Sequence, residues 1–217
     1  MIRVGSGKRM TRQGLSHDRQ GGSGAAVLSR GALFSRSMAV LGALAGSAFG
    51  AAELAASPDA QRTPAHDRQI FGLALLIARL QSAFYAHALA TGRLTGEVRQ
   101  FADVVGGQER AHVKYLAAAV GASAGKTPGF RFGDAAADAK KFVATAVLLE
   151  STSLGVYNGQ AVNLTPQALA AAARVVSVEA RHAAWARTLA GEDPAPVAVD
   201  VPITVSQAKR VFQPFLA

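Results

Sequence analysis

Two stretches of this chain carry the same chemically suggestive spacing. "VEARHAAWARTL", residues 178–189, places Glu179 and His182 three apart, and "GGQERAHVKYL", residues 106–116, does the same with Glu109 and His112. Residues three apart project from one face of a helix, and both stretches are otherwise rich in alanine and aliphatic residues. Charged groups on an apolar face are rarely buried unless they are paired or bound to a metal. "FVATAVLLESTSLGV", residues 142–156, adds Glu150, flanked at helical intervals by Ala146, Val147, Ser153 and Leu154. Carboxylates that bridge and neutralise divalent ions, with imidazoles as directional nitrogen ligands, make a donor set suited to iron or manganese. After residue 57 the chain has five glutamates and four histidines, and three and two of them fall in this constellation. A surface on which each faced water would not surround them with apolar positions.

The elements that must position these residues are helices. Periodicity and punctuation predict four of similar length, over 67–90, 97–119, 135–158 and 166–189. Gly92, Gly121, Gly159 and Gly191 each follow a periodic segment, as glycine does where a helix stops. Thr95 and Asp134 are expected to cap the second and third helices, and Thr165 followed by Pro166 is an N-cap and first-turn pair for the fourth. The fold class is all-α.

The links set the topology. Short connections after the first and third helices favour two antiparallel hairpins. "GASAGKTPGFRFG", residues 121–133, can reach roughly 40 Å when extended, against about 36 Å for one of these helices. It can therefore run the length of the bundle as a long crossover between helices two and three. "GASAGKT" imitates a phosphate-binding loop, but only three residues separate Gly121 and Gly125 where that motif needs four, and it follows a helix where the motif follows a strand. Glu109, Glu150 and Glu179 each lie within about one turn of their helix midpoint, so a four-helix arrangement brings them to one level. Such bundles are known with one Glu from each of two helices and Glu-x-x-His from each of the others, around a di-iron or di-manganese centre.

Composition narrows the remaining possibilities. A chain of 217 residues, half of them apolar, suits one domain plus an appendage. It has no cysteine, which removes disulfides, thiolate metal sites and cysteine nucleophiles. Residues 1–57 carry Lys8 and six arginines against Asp18 and Glu53, and read as a basic leader and signal peptide. Within them the uncharged run "MAVLGALAGSAFGAA", residues 38–52, is preceded by Arg30 and Arg36 and followed by small residues, placing cleavage between about residues 50 and 57. Gly42, Gly46 and Gly50 would also suit a packed membrane helix, but the run falls short of the ~20 residues of a span. "SRSMAVLGAL" resembles a twin-arginine export signal without its second arginine. The expected location is periplasmic or secreted, with no stable membrane insertion after cleavage. Residues 58–217, expected to form the bundle and a C-terminal tail, hold 16 basic and 12 acidic residues. The basic residues are scattered and have no interleaved aromatic platform, so no nucleic-acid partner is expected; the expected partners are metal ions.

From Asp67 onward the chain resembles the ferritin-like domain proteins that include desiccation-related and twin-arginine-exported bacterial members. The matching stretches are "FGLALLIARLQSAFYAHAL", "QERAHV", "LLESTSLGVYNG", "VEARHAAWARTLAG" and "VDVPITVSQAKRVFQPF". The resemblance implies a ferritin-like four-helix bundle and a metal site of Gln81, Glu109, His112, Glu150, Glu179 and His182. It also exposes a departure. The family's first helix reads like "LExLExxFY", and alignment on Phe84–Tyr85 puts Gln81 where a metal-binding glutamate is expected and Ala78 at the preceding one. Glutamine offers a neutral, weaker oxygen and no charge. Glu150, Glu179 and His182 then form the stronger half of the site, and Gln81, Glu109 and His112 the weaker. Three carboxylates leave two divalent ions with a net positive charge, so the cofactor expected is iron or manganese, as one ion, two or none. Tyr85, Tyr157 and Trp185 read as core packing, and His66 and His87 as surface or boundary residues. Two functional readings follow. One is an exported metalloprotein with a degenerate site, acting in iron, oxidative or desiccation stress by oxidising ferrous iron or consuming peroxide; the other is a non-enzymatic bundle for stress protection or interaction that has lost metal binding. Nothing in the sequence specifies an iron-storage shell.

Overall fold

Thr63 caps the first helix through its side chain, which accepts from the His66 N–H, and Pro64 occupies the first helical position. A computed structural model describes residues 62–217; the expected leader, signal and cleavage site lie outside the described residues. Helix α1 spans Pro64–Ala90, α2 Gly96–Val120, α3 Ala139–Gln160, α4 Pro166–Ala190 and a short α5 Val205–Phe212. No strand occurs among the described residues, only one isolated bridge between Phe130 and Leu216.

Helix ends follow local chemistry with three differences from expectation, the first being that Thr95 stands at the N-cap of α2 but makes no side-chain capping hydrogen bond. Thr165 caps α4 by accepting from the Ala168 N–H, and Gly191 closes it in the left-handed region at φ +74°. The cap of α3 is Asp138, which accepts from the Lys141 N–H. Asp134, the expected cap, sits one turn earlier and pairs with the Lys141 ammonium, because residues 134–138 form their own turn through Ala137 N–H to Asp134 O. Nor is Gly159 a helix stop: α3 continues through it to Gln160. A Cβ there would stand 2.2 Å from the Ile203 carbonyl oxygen, so glycine is needed for the close approach of the tail.

Two apolar clusters fix the topology. The first joins the end of α1 (Phe84, Ala88) to the starts of α2 (Phe101) and α3 (Phe142) and the end of α4 (Ala186). The second joins the start of α1 (Ile70, Phe71) to the ends of α2 (Val120) and α3 (Tyr157) and the start of α4 (Ala168). Helices α1 and α2 therefore form one antiparallel hairpin, α3 and α4 another, and residues 121–138 cross from one end of the bundle to the other, as the link length predicts. The crossover tracks α1: Arg79 donates to the Ala124 and Gly125 carbonyls, Phe132 contacts Phe84 and His87, and Arg93 reaches the Ala137 carbonyl. Helix α1 is long and apolar enough by composition to cross a bilayer; here Ile77, Leu80 and Phe84 pack with residues of α2 and α3, the use a core helix makes of the same composition.

The C-terminal tail adds an element that periodicity did not reveal. Thr204 and Gln207 form a reciprocal capping box on α5, whose Ala208 and Phe212 join the first cluster. The chain then returns to the crossover, with Arg131 N–H donating to Phe215 O and Ala217 N–H to Gly129 O.

Candidate metal centre

Between the two apolar clusters lies a polar layer. On α1, Gln81 falls between Ala78 of the second cluster and Phe84 of the first; on α2, Glu109 and His112 fall between Val105 and Leu116. On α4, Glu179 and His182 fall between Val175 and Ala186, and on α3 Glu150 follows Leu149. All six are buried, with Gln81, Glu109 and Glu150 at 0% exposure. The equal heights follow from helix rise and antiparallel pairing, which put every midpoint at one level.

The layer converges on Glu109. Its Oε1 lies 3.2 Å from His112 Nδ1 and 3.2 Å from His182 Nδ1. His182 Nδ1 is also 3.3 Å from Glu150 Oε2, and His112 Nδ1 is 3.1 Å from Glu179 Oε1. One ligand atom each from Glu109, Glu150, Glu179 and His182 can be chosen so that all lie within 4.8 Å of one another. The carboxylates are therefore not divided as the sequence grouping has it: Glu109 serves both histidines, and Glu179 faces His112 as well as joining the group around His182.

Hydrogen bonding separates the two imidazoles. His112 Nδ1 makes a hydrogen bond to Glu109 Oε1. His182 Nδ1, close as it is to two carboxylate oxygens, has no hydrogen-bond partner, and neither do Glu109 Oε2, Glu150 Oε2, Glu179 Oε2 or either amide atom of Gln81. Buried polar atoms without partners are uncommon in native proteins and point to an ion or water. Separations of 3.2–3.3 Å around His182 Nδ1 resemble the spacing of neighbouring ligands about a first-row divalent ion, about 3 Å for ~2.1 Å bonds at right angles. The residues present fit a metal.

Two supporting side chains have roles at the site that the sequence reading did not assign. The Gln108 carboxamide oxygen accepts from His182 Nε2 across 2.5 Å, which leaves Nδ1 as the nitrogen turned toward the carboxylates, as ligating histidines are commonly held. The Tyr85 hydroxyl donates to Glu150 Oε1 across 2.6 Å. Tyr85 is core, as expected, packing against Phe84, Phe101 and Phe142, but its polar end belongs to the site. Gly106 permits this, since a Cβ there would come within 2.8 Å of Tyr85 Cβ. Tyr157 packs in the second cluster, and Trp185 lies at the bundle edge, donating to Glu97. His87 is exposed, as expected, whereas His66 is buried and not a surface or boundary residue; it sits beside Asp67, whose carboxylate accepts from the Thr165 N–H and hydroxyl. Neither histidine approaches the polar layer.

Electrostatics follow from enclosure. Burial lowers the affinity of His112 and His182 for protons, but the adjoining carboxylates of Glu109, Glu150 and Glu179 outweigh it, raising His112 to about 9 and His182 to about 10. Burial, then the Glu150 charge and hydrogen bond, pushes Tyr85 well above its ordinary range, so it remains a donor. Burial likewise pushes Glu150 up, while His182 and Tyr85 draw it down.

Residues 66–192 match the family model of the ferritin-like domain. The chain belongs to the ferritin-like domain family. That match covers more than half of the chain, takes in the whole polar layer, and ends before α5. No curated protein matches the chain.

Proposed function

We propose that this ferritin-like protein is an exported metalloprotein that binds iron or manganese through Glu109, Glu150, Glu179 and His182, with Gln81 and His112 completing the layer. The observation that carries the reading is the convergence of these donors with partnerless atoms inside an apolar shell. A carboxylate-rich donor set with imidazole and no thiolate suits manganese through its oxygens and iron through its imidazole. Such an ion, when bound, supplies one-electron redox chemistry. The chain's own residues hold it, Gln108 fixes the ring of His182, Tyr85 fixes Glu150, and the apolar clusters above and below exclude water. Oxidation of ferrous iron or consumption of peroxide, in iron, oxidative or desiccation stress, is the activity class this arrangement suits.

Elemental analysis of untagged protein, purified from cells grown with added iron and manganese, tests the binding. Iron or manganese copurifying with the chain supports it; neither metal, with none taken up on reconstitution, overturns it. Export to the periplasm or medium rests on the basic leader and short apolar run before residue 57. Mass spectrometry of extracytoplasmic protein should find an N-terminus between about residues 50 and 58. An intact leader on membrane-embedded protein would replace the signal reading with an anchor.

A second reading has its own support. Gln81 stands where the resemblance expects a carboxylate, and His112 already donates to Glu109, so part of the layer is satisfied without metal. On that reading the bundle protects or interacts without metal, and the chain neither copurifies with iron or manganese nor takes them up on reconstitution.

A further inference from the structure

We propose that this centre holds one divalent ion and not two, bound by Glu109, Glu150, Glu179 and His182, with His112 acting as a hydrogen-bond donor to Glu109 instead of as a ligand. The inference rests on the metal-binding reading above and specifies its stoichiometry.

The two histidines are related by sequence pattern but not by what their ring nitrogens do. His182 Nδ1 is buried, faces Glu109 Oε1 and Glu150 Oε2, and bonds to neither. Its outer nitrogen is held by Gln108. His112 Nδ1 hydrogen-bonds Glu109 Oε1 and lies 3.1 Å from Glu179 Oε1, and among the described residues the donors that gather within 4.8 Å of one another come from Glu109, Glu150, Glu179 and His182, without His112.

Charge leads to the same count. Among the described residues the layer contains three carboxylates, Glu109, Glu150 and Glu179, because Gln81 brings a neutral amide to the fourth helix position. Two divalent ions would leave a net positive charge in an enclosed apolar setting, where uncompensated charge is costly. One ion leaves a single excess negative charge, toward which the His112 N–H is already directed. The Gln81 amide, buried with both polar atoms unpartnered, does nothing to redress the deficit on the His112 side.

The test uses the full chain, untagged and stripped with chelator, titrated anaerobically with manganous ion and separately with ferrous ion. Calorimetry and elemental analysis should give one ion per chain, and the manganese electron paramagnetic resonance spectrum should be that of an isolated ion. Two ions per chain, or a spectrum of an exchange-coupled pair, overturns the proposal while leaving metal binding intact; no binding of either ion overturns both together. Among variants, His112→Ala should still bind one ion, about tenfold more weakly, as befits a supporting residue. His182→Ala should lose more than the ~100-fold at the upper end of that range. Equal losses in the two variants, with both shown by circular dichroism to be folded, would assign His112 to the metal. Should either variant fail to fold, the wild-type stoichiometry and spectrum decide alone.

Discussion

The Tyr85 hydroxyl and the Glu150 carboxylate meet across 2.6 Å at the boundary between an aromatic cluster and the polar layer. Removing the hydroxyl with Tyr85→Phe keeps the ring and its packing but leaves Glu150 Oε1 buried without a donor. In metal-free protein that should cost about 1–3 kcal/mol, the penalty for an unsatisfied buried acceptor. Urea unfolding in chelator measures it. An unchanged midpoint would mean that Tyr85 acts through its ring alone.

Much of this fold can be read from its sequence because its signals are local. Thr165–Pro166 and Gly191 mark α4 at both ends, and the Glu-x-x-His pairs name the faces of α2 and α4 that turn inward. Gly159 misleads because glycine serves two purposes: a stop needs a left-handed backbone, whereas this one lets Ile203 O approach α3. Short α5 has too few turns for periodicity to mark, and its place depends on contact with α3 and the first cluster. Which carboxylate faces which histidine is also beyond sequence, since the sharing of Glu109 Oε1 is set by how α2, α3 and α4 pack. Gln108 shows the same limit: it is exposed on α2, and only the placement of α4 brings His182 Nε2 to it.

Metal-free protein should lose stability as pH rises. His112 and His182 have folded-state values raised to about 9 and about 10 from an ordinary 6.5. A raised value means that the folded state binds the proton more tightly, so the stability these groups contribute is complete below about 6.5 and is lost as pH climbs through 9 and 10. Chelator-treated protein melted from pH 6 to 10 should show a midpoint that falls from about 6.5 upward and levels off near 10, and His182→Ala should flatten the fall. A midpoint that rises with pH would contradict the ion pairing. Because a ligating His182 must surrender its proton, calorimetry in buffers of different ionisation enthalpy should also find about one proton released per ion bound at pH 7.

Gly159→Ala should release the C-terminal tail from α3. The added Cβ would lie 2.2 Å from Ile203 O, a backbone atom, so the tail must move, at a cost of about 1–3 kcal/mol typical of overpacking. Limited proteolysis should then cut within residues 192–203 faster than in wild type, while metal uptake by the central layer persists. Unaltered cleavage and melting would show that the tail tolerates the displacement.

The decisive substitution is Gln81→Glu, which is nearly isosteric and adds a fourth carboxylate to the layer. Ligand charge then matches two divalent ions, and manganous titration should move from one ion per chain toward two. Without metal the new carboxylate is enclosed in an apolar setting, where it must remain protonated or strain its surroundings. The variant should therefore melt below wild type in chelator and above it in excess manganous ion, because an ion that binds only the folded state stabilises it by mass action. Both arms are needed, since a general packing defect would lower the midpoint equally with and without metal. If occupancy is unchanged and the melting shift is the same in both conditions, the Gln81 side chain is not directed at the ion, and its partnerless amide faces a separate polar void.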